Sequence, residues 1–410
     1  MKRIMAAAAW CGLAGSCFAT EITLESYAKN ADSIAIGVVE FQPASAATLR
    51  KNEPWKVLAA DLRFSGRFVV TETVRPDSAL FAKNGVVLYV NGDYAVKGNG
   101  VRLHFFLQAP GQVLLNRTFD GDTSGLRQMT HCYGDEMVRR LFGDSGFFQS
   151  KMLCVKNKGR AKNLMIMDYD GFNRRHLTSC NCLNILPSFA DSATYVWTSY
   201  SRGQAAIFIG SLATGMQHPF LPSRYMETTA AVSAVTGVMA FAWAKDGCMD
   251  IYTCNRDGSD MKKIIGSGSV DIAPSWSPSG GQFVFTSNRQ GSPALYVADA
   301  DGADTHRLTF EGPYQDEAAW SPRGDKIAYT SLTKGEFQIW VIQPDGSNPV
   351  QLTSSPGSKE NPTWSPDASH IAFSWKTGGK TDIFITRNDG SHLSRITNFG
   401  KAIMPSWARP

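Results

Sequence analysis

Pro274-Ser275-Trp276-Ser277-Pro278 is the clearest copy of a motif that recurs along the second half of this chain, and its spacing decides the fold. Trp276, Trp320, Trp364 and Trp407 stand 44, 44 and 43 residues apart, and the first three each open a Trp-Ser-Pro triplet. Stepping back by the same period reaches Val232 and then Phe189, the latter inside Pro187-Ser188-Phe189-Ala190-Asp191, a decayed copy. A second column holds Trp197, Phe241, Phe285, Tyr329 and Phe373, and a third holds Phe208, Tyr252, Tyr296, Trp340 and Phe384. Asp-Gly pairs beginning at 170, 257, 301, 345 and 389 form a fourth, with Thr214-Gly215 filling its gap. Self-similarity at a period of about 44 residues is the mark of a repeat architecture.

Each unit reads as four strands. After the Trp, Ser-Pro and a polar or Gly residue turn the chain, and alternating runs such as 282–286 and 326–330 put aromatics on one face. A third strand follows a Gly-bearing loop, Asp-Gly makes a tight hairpin, and a fourth short strand ends in Arg307-Leu308-Thr309, Gln351-Leu352-Thr353 or Arg395-Ile396-Thr397. Four strands per unit make a propeller blade, and residues 151–410 hold six. The first unit, 151–178, lacks a leading Pro-x-Trp strand, whereas Met404-Pro405-Ser406-Trp407 is such a strand with nothing after it. The last strand is expected to complete the first blade and close the ring, removing an exposed sheet edge.

Residues 20–150 carry none of these columns and read as a smaller α/β domain. Strands are expected at 33–41, 68–72, 86–92, 95–98, 101–109 and 113–120, with a helix at 54–65. A second helix is expected to start with Asp122, Thr123 or Ser124 as N-cap and to bury Leu126, Met129, Tyr133, Met137 and Leu141. The fold class is therefore mainly β, a six-bladed β-propeller preceded by an α/β domain.

The first nineteen residues read as a secretory signal: Lys2 and Arg3, an apolar run over 4–13, and small residues before a cut after Ala19. That run is too short for a transmembrane anchor. The chain is thus expected to be exported, with domains at 1–19, 20–150 and 151–410. The formal charge of +5 falls to +3 when Lys2 and Arg3 leave, and no basic patch supports nucleic-acid binding. Cys132, Cys154, Cys180, Cys182, Cys248 and Cys254 remain, an even number for which disulfides are permitted but the connectivity is open.

No catalytic set, cofactor or metal site is read. Gly143-Asp144-Ser145-Gly146 is a turn after the helix, no Gly-x-Ser-x-Gly occurs, and Asp299-x-Asp301-Gly302 places its Gly too early for a calcium loop. His131, beside Asp135 one turn on, reads as a structural hydrogen-bonding residue. What remains is a binding surface. Loops leading into the innermost strands, at 178–186, 220–230, 265–273, 309–318, 354–361 and 398–404, ring one mouth of the central channel. They carry Asn184, Glu227, Asp271, Asp316, Glu317, Glu360 and Asn361, with Lys401. Loops joining second and third strands add Arg202, Lys245, Arg289, Lys334 and Lys376. Acidic inner and basic outer loops would complement a partner of both signs; the alternative at any single position is a solvated turn residue.

The stretches from Leu58-Ala59-Ala60-Asp61-Leu62-Arg63-Phe64-Ser65-Gly66-Arg67-Phe68 and from Leu126-Arg127-Gln128-Met129-Thr130-His131 to Gly146-Phe147-Phe148, joined to six such repeats, resemble the TolB family, exported propeller proteins of the Tol-Pal system. The six cysteines and the degraded turns at 190–193 and 233–236 depart from the family pattern. The resemblance implies a periplasmic, monomeric, non-enzymatic scaffold, peripheral to the membranes, that supports outer-membrane integrity and envelope constriction at division. It implies a Pal-like peptidoglycan-associated lipoprotein at the propeller mouth and a TolA-like inner-membrane protein on the segment 20–29, where Glu21-Ile22-Thr23-Leu24 could add to a sheet edge. The competing reading is a propeller enzyme, a metal-dependent lactonase or glycan-processing type with channel-lining ligands. The innermost strands are expected to present Ser275, Ala318, Thr363 and Ser406, with acidic residues only in the loops before them, which favours the scaffold.

Overall fold

A computed structural model describes residues 33–44, 49 and 53–408; the expected signal sequence and the segment 20–29, with Glu21, Ile22, Thr23 and Leu24, lie outside the described residues. The chain divides into two units, Met1–Ser145 and Gly146–Pro410.

The first unit runs β1 (Ile34–Val39), β2 (Gln42–Pro43), α1 (Pro54–Phe64), β3 (Phe68–Thr73), α2 (Ser78–Lys83), β4 (Leu88–Lys97), β5 (Gly100–Ala109), β6 (Gln112–Asp122) and α3 (Leu126–Phe142). The sheet order is β3-β1-β4-β5-β6, with β2 on β4. β1 is parallel to both β3 and β4, because α1 carries the crossover from β1 to β3. β4, β5 and β6 form an antiparallel meander. Pro54 starts α1, where its missing N–H costs nothing, and Trp55, Leu58, Ala59 and Leu62 are buried as their spacing predicts. Tyr133 of α3 stacks on Phe105 of β5 at 4.5 Å between centroids.

Three local features differ from expectation. The runs 86–92 and 95–98 are one strand, β4, and Gly92 does not break it. A Cβ there would lie 2.1 Å from the His104 carbonyl oxygen and 2.8 Å from the Phe41 ring, so the glycine answers a close approach. α2 is six residues long, too short for periodicity to register, and is signalled only by Asp77, whose carboxylate accepts the Leu80 N–H at 2.9 Å. α3 starts at Leu126 after N-cap Gly125. Asp122 instead closes the preceding turn, accepting the N–H groups of Ser124 and Gly125 at 2.9 and 3.0 Å.

The second unit is six four-stranded antiparallel sheets. Blade 1 is composite: Ala402–Trp407 pairs with Lys151–Lys158, followed by Ala161–Asp168 and Arg175–His176. The innermost strands of blades 2 to 6 are Asn184–Phe189, Glu227–Val232, Asp271–Trp276, Gln315–Trp320 and Ser358–Trp364.

Each sequence column has a physical task. The motif tryptophans fill the seams between blades: Trp276 packs with Ala240, Ile251 and Ile265 of the preceding blade, and Trp320 with Val284, Leu295 and Leu308. The second and third columns are directly opposed cross-strand pairs, Trp197 with Phe208, Phe241 with Tyr252, Phe285 with Tyr296, Tyr329 with Trp340 and Phe373 with Phe384. Thr178, Thr309, Thr353 and Thr397, which end the fourth strands, each accept a third-strand N–H fourteen residues back, at 2.9 to 3.0 Å.

The Asp-Gly hairpins need glycine for two reasons. Gly302 has φ +87°, and a Cβ on it would lie 2.4 Å from the Ile264 carbonyl oxygen of the neighbouring blade. Gly302→Ala should therefore cost roughly 2–3 kcal/mol, whereas Gly203→Ala, at φ +89° with nothing within 4 Å, should cost roughly 1 kcal/mol for backbone strain alone. Parallel urea denaturations would check this; equal losses would mean that the seam does not press on the hairpin.

Cys180 and Cys182 form a disulfide, while Cys132, Cys154, Cys248 and Cys254 are thiols. His131 Nδ1 lies 2.7 Å from a carboxylate oxygen of Asp61 in α1, a buried pair that the i+4 spacing to Asp135 did not suggest.

Candidate functional site at the propeller mouth

The innermost strands begin well before the Pro-x-Trp run, and each is interrupted by a β-bulge at the same place. The register shifts fall between Ile185 and Ser188, Thr228 and Ala231, Ile272 and Ser275, Asp316 and Ala319, Glu360 and Thr363, and Ile403 and Ser406. At each bulge a non-glycine residue takes a left-handed conformation: Leu186, Thr229, Ala273, Glu317, Asn361 and Met404, with φ between 52° and 58°. Four of them precede proline, which a bulge tolerates because it needs no ladder N–H there. This ring of six lines a central cavity of about 190 Å³ together with Ser188, Ala231, Ser275, Ala319, Thr363 and Ser406.

Polar side chains on the ring stitch blade to blade. Thr229 Oγ1 accepts the Ala273 N–H at 3.1 Å, Ser275 Oγ accepts the Trp320 N–H at 3.1 Å and Thr363 Oγ1 accepts the Trp407 N–H at 3.2 Å. Glu317 is the most heavily engaged. One carboxylate oxygen accepts the Asn361 N–H at 2.7 Å and the Thr330 hydroxyl at 2.9 Å, and the other accepts from the Asn361 amide. Asn361 Oδ1 in turn accepts from Ser374 Oγ at 3.3 Å. Burial, then the neighbouring Asp316 charge, pushes the Glu317 carboxyl up to about 7.

The expectation that acidic residues stand only in loops before these strands is corrected: Glu317 and Asn361 are strand residues lining the cavity, and Asp316 and Glu360 are strand residues beside them. The bulge breaks strict alternation, so the first half of each strand reads as loop. Asn184, Glu227 and Asp271 are also strand residues, and all three are buried. They belong to a column with Gln315 and Lys359 whose side chains cap backbone or neighbouring side-chain groups. The Glu227 carboxylate accepts the Ile207 N–H at 3.3 Å, Asn184 Oδ1 accepts the Trp197 indole N–H at 3.0 Å, and Lys359 Nζ donates to the Gly357 carbonyl at 2.8 Å. Arg289 is half-buried; its guanidinium donates to Asp271 at 3.0 Å and to Ser287 Oγ at 2.8 Å, and lies 4.6 Å over the Tyr296 ring. Lys401 and Arg202 are exposed, while Asp316, Glu317, Glu360 and Asn361 are half-buried.

The rim carries an apolar arc that the sequence reading missed. Met226, Val270 and Phe310 stand on the segments leading into three consecutive innermost strands and are 43%, 42% and 73% exposed. Only their position on one face, invisible before the ring is assembled, sets them apart from ordinary surface residues.

The family model described as the TolB beta propeller domain matches residues 138–410. The chain belongs to the TolB family. Among curated relatives, the protein TolB homolog of Chlorobium chlorochromatii is 30% identical over 209 residues, covering 50% of this chain and 46% of its own. The Tol-Pal system protein TolB of Geobacter metallireducens is 35% identical over 153 residues, covering 34% of this chain and 36% of its own. The matched stretch thus spans less than half the length of each. The crystal structure of TolB from Acinetobacter baumannii shares the fold with a TM-score of 0.81 at 22% identity, over 92% of this chain and 97% of that one. The propeller match begins at residue 138, within α3, so most of the first unit, which carries no repeat columns, lies outside it.

Proposed function

We propose that this TolB-family protein is a non-enzymatic periplasmic component of a Tol-Pal system that binds a Pal-like lipoprotein at the propeller mouth and a TolA-like protein through residues 20–29, maintaining outer-membrane integrity and envelope constriction during division. The observation that carries the reading is the family match over 138–410, joined to a relative that is named a Tol-Pal system protein. The mouth has the chemistry of a protein-binding surface: an apolar arc of Met226, Val270 and Phe310 beside half-buried Asp316 and Glu360 and exposed Arg202 and Lys401, with the bonded pair Glu317 and Asn361 beneath them. Asn184, Glu227 and Asp271 hold the strands that present this surface, and Arg289 braces Asp271. Thr229, Ser275, Glu317, Asn361 and Thr363 of the cavity are engaged in inter-blade bonds, which supports a scaffold rather than an enzyme. Among the described residues no helix is long and apolar enough to cross a membrane.

Capture of the soluble domain of a Pal-like lipoprotein on the immobilised protein tests the mouth. Phe310→Ala and a Glu360→Lys/Lys401→Glu pair should each weaken capture at least tenfold, about 1.4 kcal/mol, without shifting the thermal midpoint. Undiminished capture by both variants would remove the mouth assignment.

A further inference from the structure

A second surface lies on the first unit, between the edge strand β6 and the second half of α3. A groove of about 430 Å³ is lined there by Leu115 and Arg117 of the strand and by Glu136, Arg139, Arg140 and Leu141 of the helix. β5 pairs along one side of β6, and among the described residues no strand pairs along the other. β6 is eleven residues long and holds neither Pro nor Lys; its one bulge, at Leu114, lies before the exposed run Asn116, Arg117 and Thr118, which leaves that run as the open part of the edge. Such an edge offers a row of backbone donors and acceptors to an incoming strand, whose alternate side chains would then face the groove.

The lining decides what those side chains should be. The lining holds three guanidinium groups and one carboxylate, a net positive charge, and Arg117 engages that carboxylate at 2.5 Å. Arg139 and Arg140 are exposed at the helix end, while Leu115 and Leu141 give the groove an apolar floor. We propose that this groove takes an extended, acidic segment of a partner protein by strand addition to β6, with an aliphatic side chain over Leu115 and Leu141 and carboxylates against Arg139 and Arg140. The site is separate from the propeller mouth and does not rest on the identity of any partner there.

Capped nine-residue peptides of alternating Glu and Val, of alternating Lys and Val, and of alternating Glu and Val N-methylated at every second residue are the probes, titrated into the full mature chain by NMR. The Glu–Val peptide should bind at least tenfold more tightly than the Lys–Val peptide and perturb amides of β6 and the last turns of α3. The N-methylated peptide, unable to complete the ladder, should not saturate. An Arg139→Glu/Arg140→Glu double variant should reverse the preference, and Arg139→Gln/Arg140→Gln should narrow it, with circular dichroism unchanged in both. Equal binding of the two charge types, or perturbations confined to other surfaces, would overturn the proposal. So would an intramolecular cross-link from a photoreactive residue at 116 to residues 20–29, because the groove would then serve the chain's own segment.

Discussion

Cutting the chain after Lys401 should abolish cooperative unfolding of the propeller. The nine residues removed include Ala402–Trp407, the innermost strand of blade 1, paired to Lys151–Lys158 at Ala402 with Lys156, Ile403 with Val155, Ser406 with Leu153 and Trp407 with Met152. Trp407 is 2% exposed; its N–H donates to Thr363 of blade 6 and its indole to Ser150 Oγ at 2.6 Å. Removing a buried tryptophan alone costs roughly 3–5 kcal/mol. The whole strand adds a lost ladder and leaves an unpaired edge along Lys151–Lys158, a total that reaches the roughly 5–15 kcal/mol by which folded domains are stable. Trp407→Ala should therefore retain a cooperative but weakened transition, and the truncation should show none. Chemical denaturation followed by tryptophan fluorescence and far-UV circular dichroism distinguishes the two, and an intact transition with an unchanged midpoint in the truncated chain would refute the closure.

The ring was legible because its signals repeat. Any one aromatic of the second column proves nothing, but five at one spacing fix a cross-strand pair in each blade, and Trp407 without a following unit points to closure. The site was less legible because its determinants break the local rule that reading depends on. A bulge at Glu317 or Asn361 inserts one residue, so the alternation expected of a strand lapses over 315–319 and 359–363, and both stretches read as loop. Polar type misled in the same way. Asn184, Glu227, Asp271 and Lys359 look like surface residues in the sequence, yet all four are buried because backbone groups or neighbouring side chains at the strand ends need polar partners. Gly92 shows the converse error, a glycine that looks like a strand terminator and is required by a carbonyl 2.1 Å from where a side chain would begin.

The carboxyl of Glu317 should make the propeller less stable as pH rises from about 4.5 to 7, the reverse of what most paired carboxylates do. Burial and the Asp316 charge raise it from the ordinary 4.5 to about 7 in the folded chain. Between those values the folded state holds a proton that the unfolded state has released, so its contribution is fully present below 4.5 and is lost as pH climbs through 7. Each tenfold difference in proton affinity between the two states is worth about 1.4 kcal/mol, which makes the loss on the order of 3 kcal/mol. Glu317→Gln keeps the side-chain shape and one acceptor, and a half-turn of the Asn361 amide lets it receive the new N–H. This variant should flatten the profile in that window and be the more stable protein at pH 8. Glu317→Ala should instead lose stability at every pH, roughly 1–3 kcal/mol, because the Asn361 N–H and the Thr330 hydroxyl then lack their acceptor. Urea midpoints of the three proteins at half-unit pH steps, with a carbon-13 carboxyl titration of Glu317, decide it. A midpoint near 4.5 in that titration, or identical profiles for the wild type and the Gln variant, would exclude a neutral carboxyl as the link between blades 5 and 6.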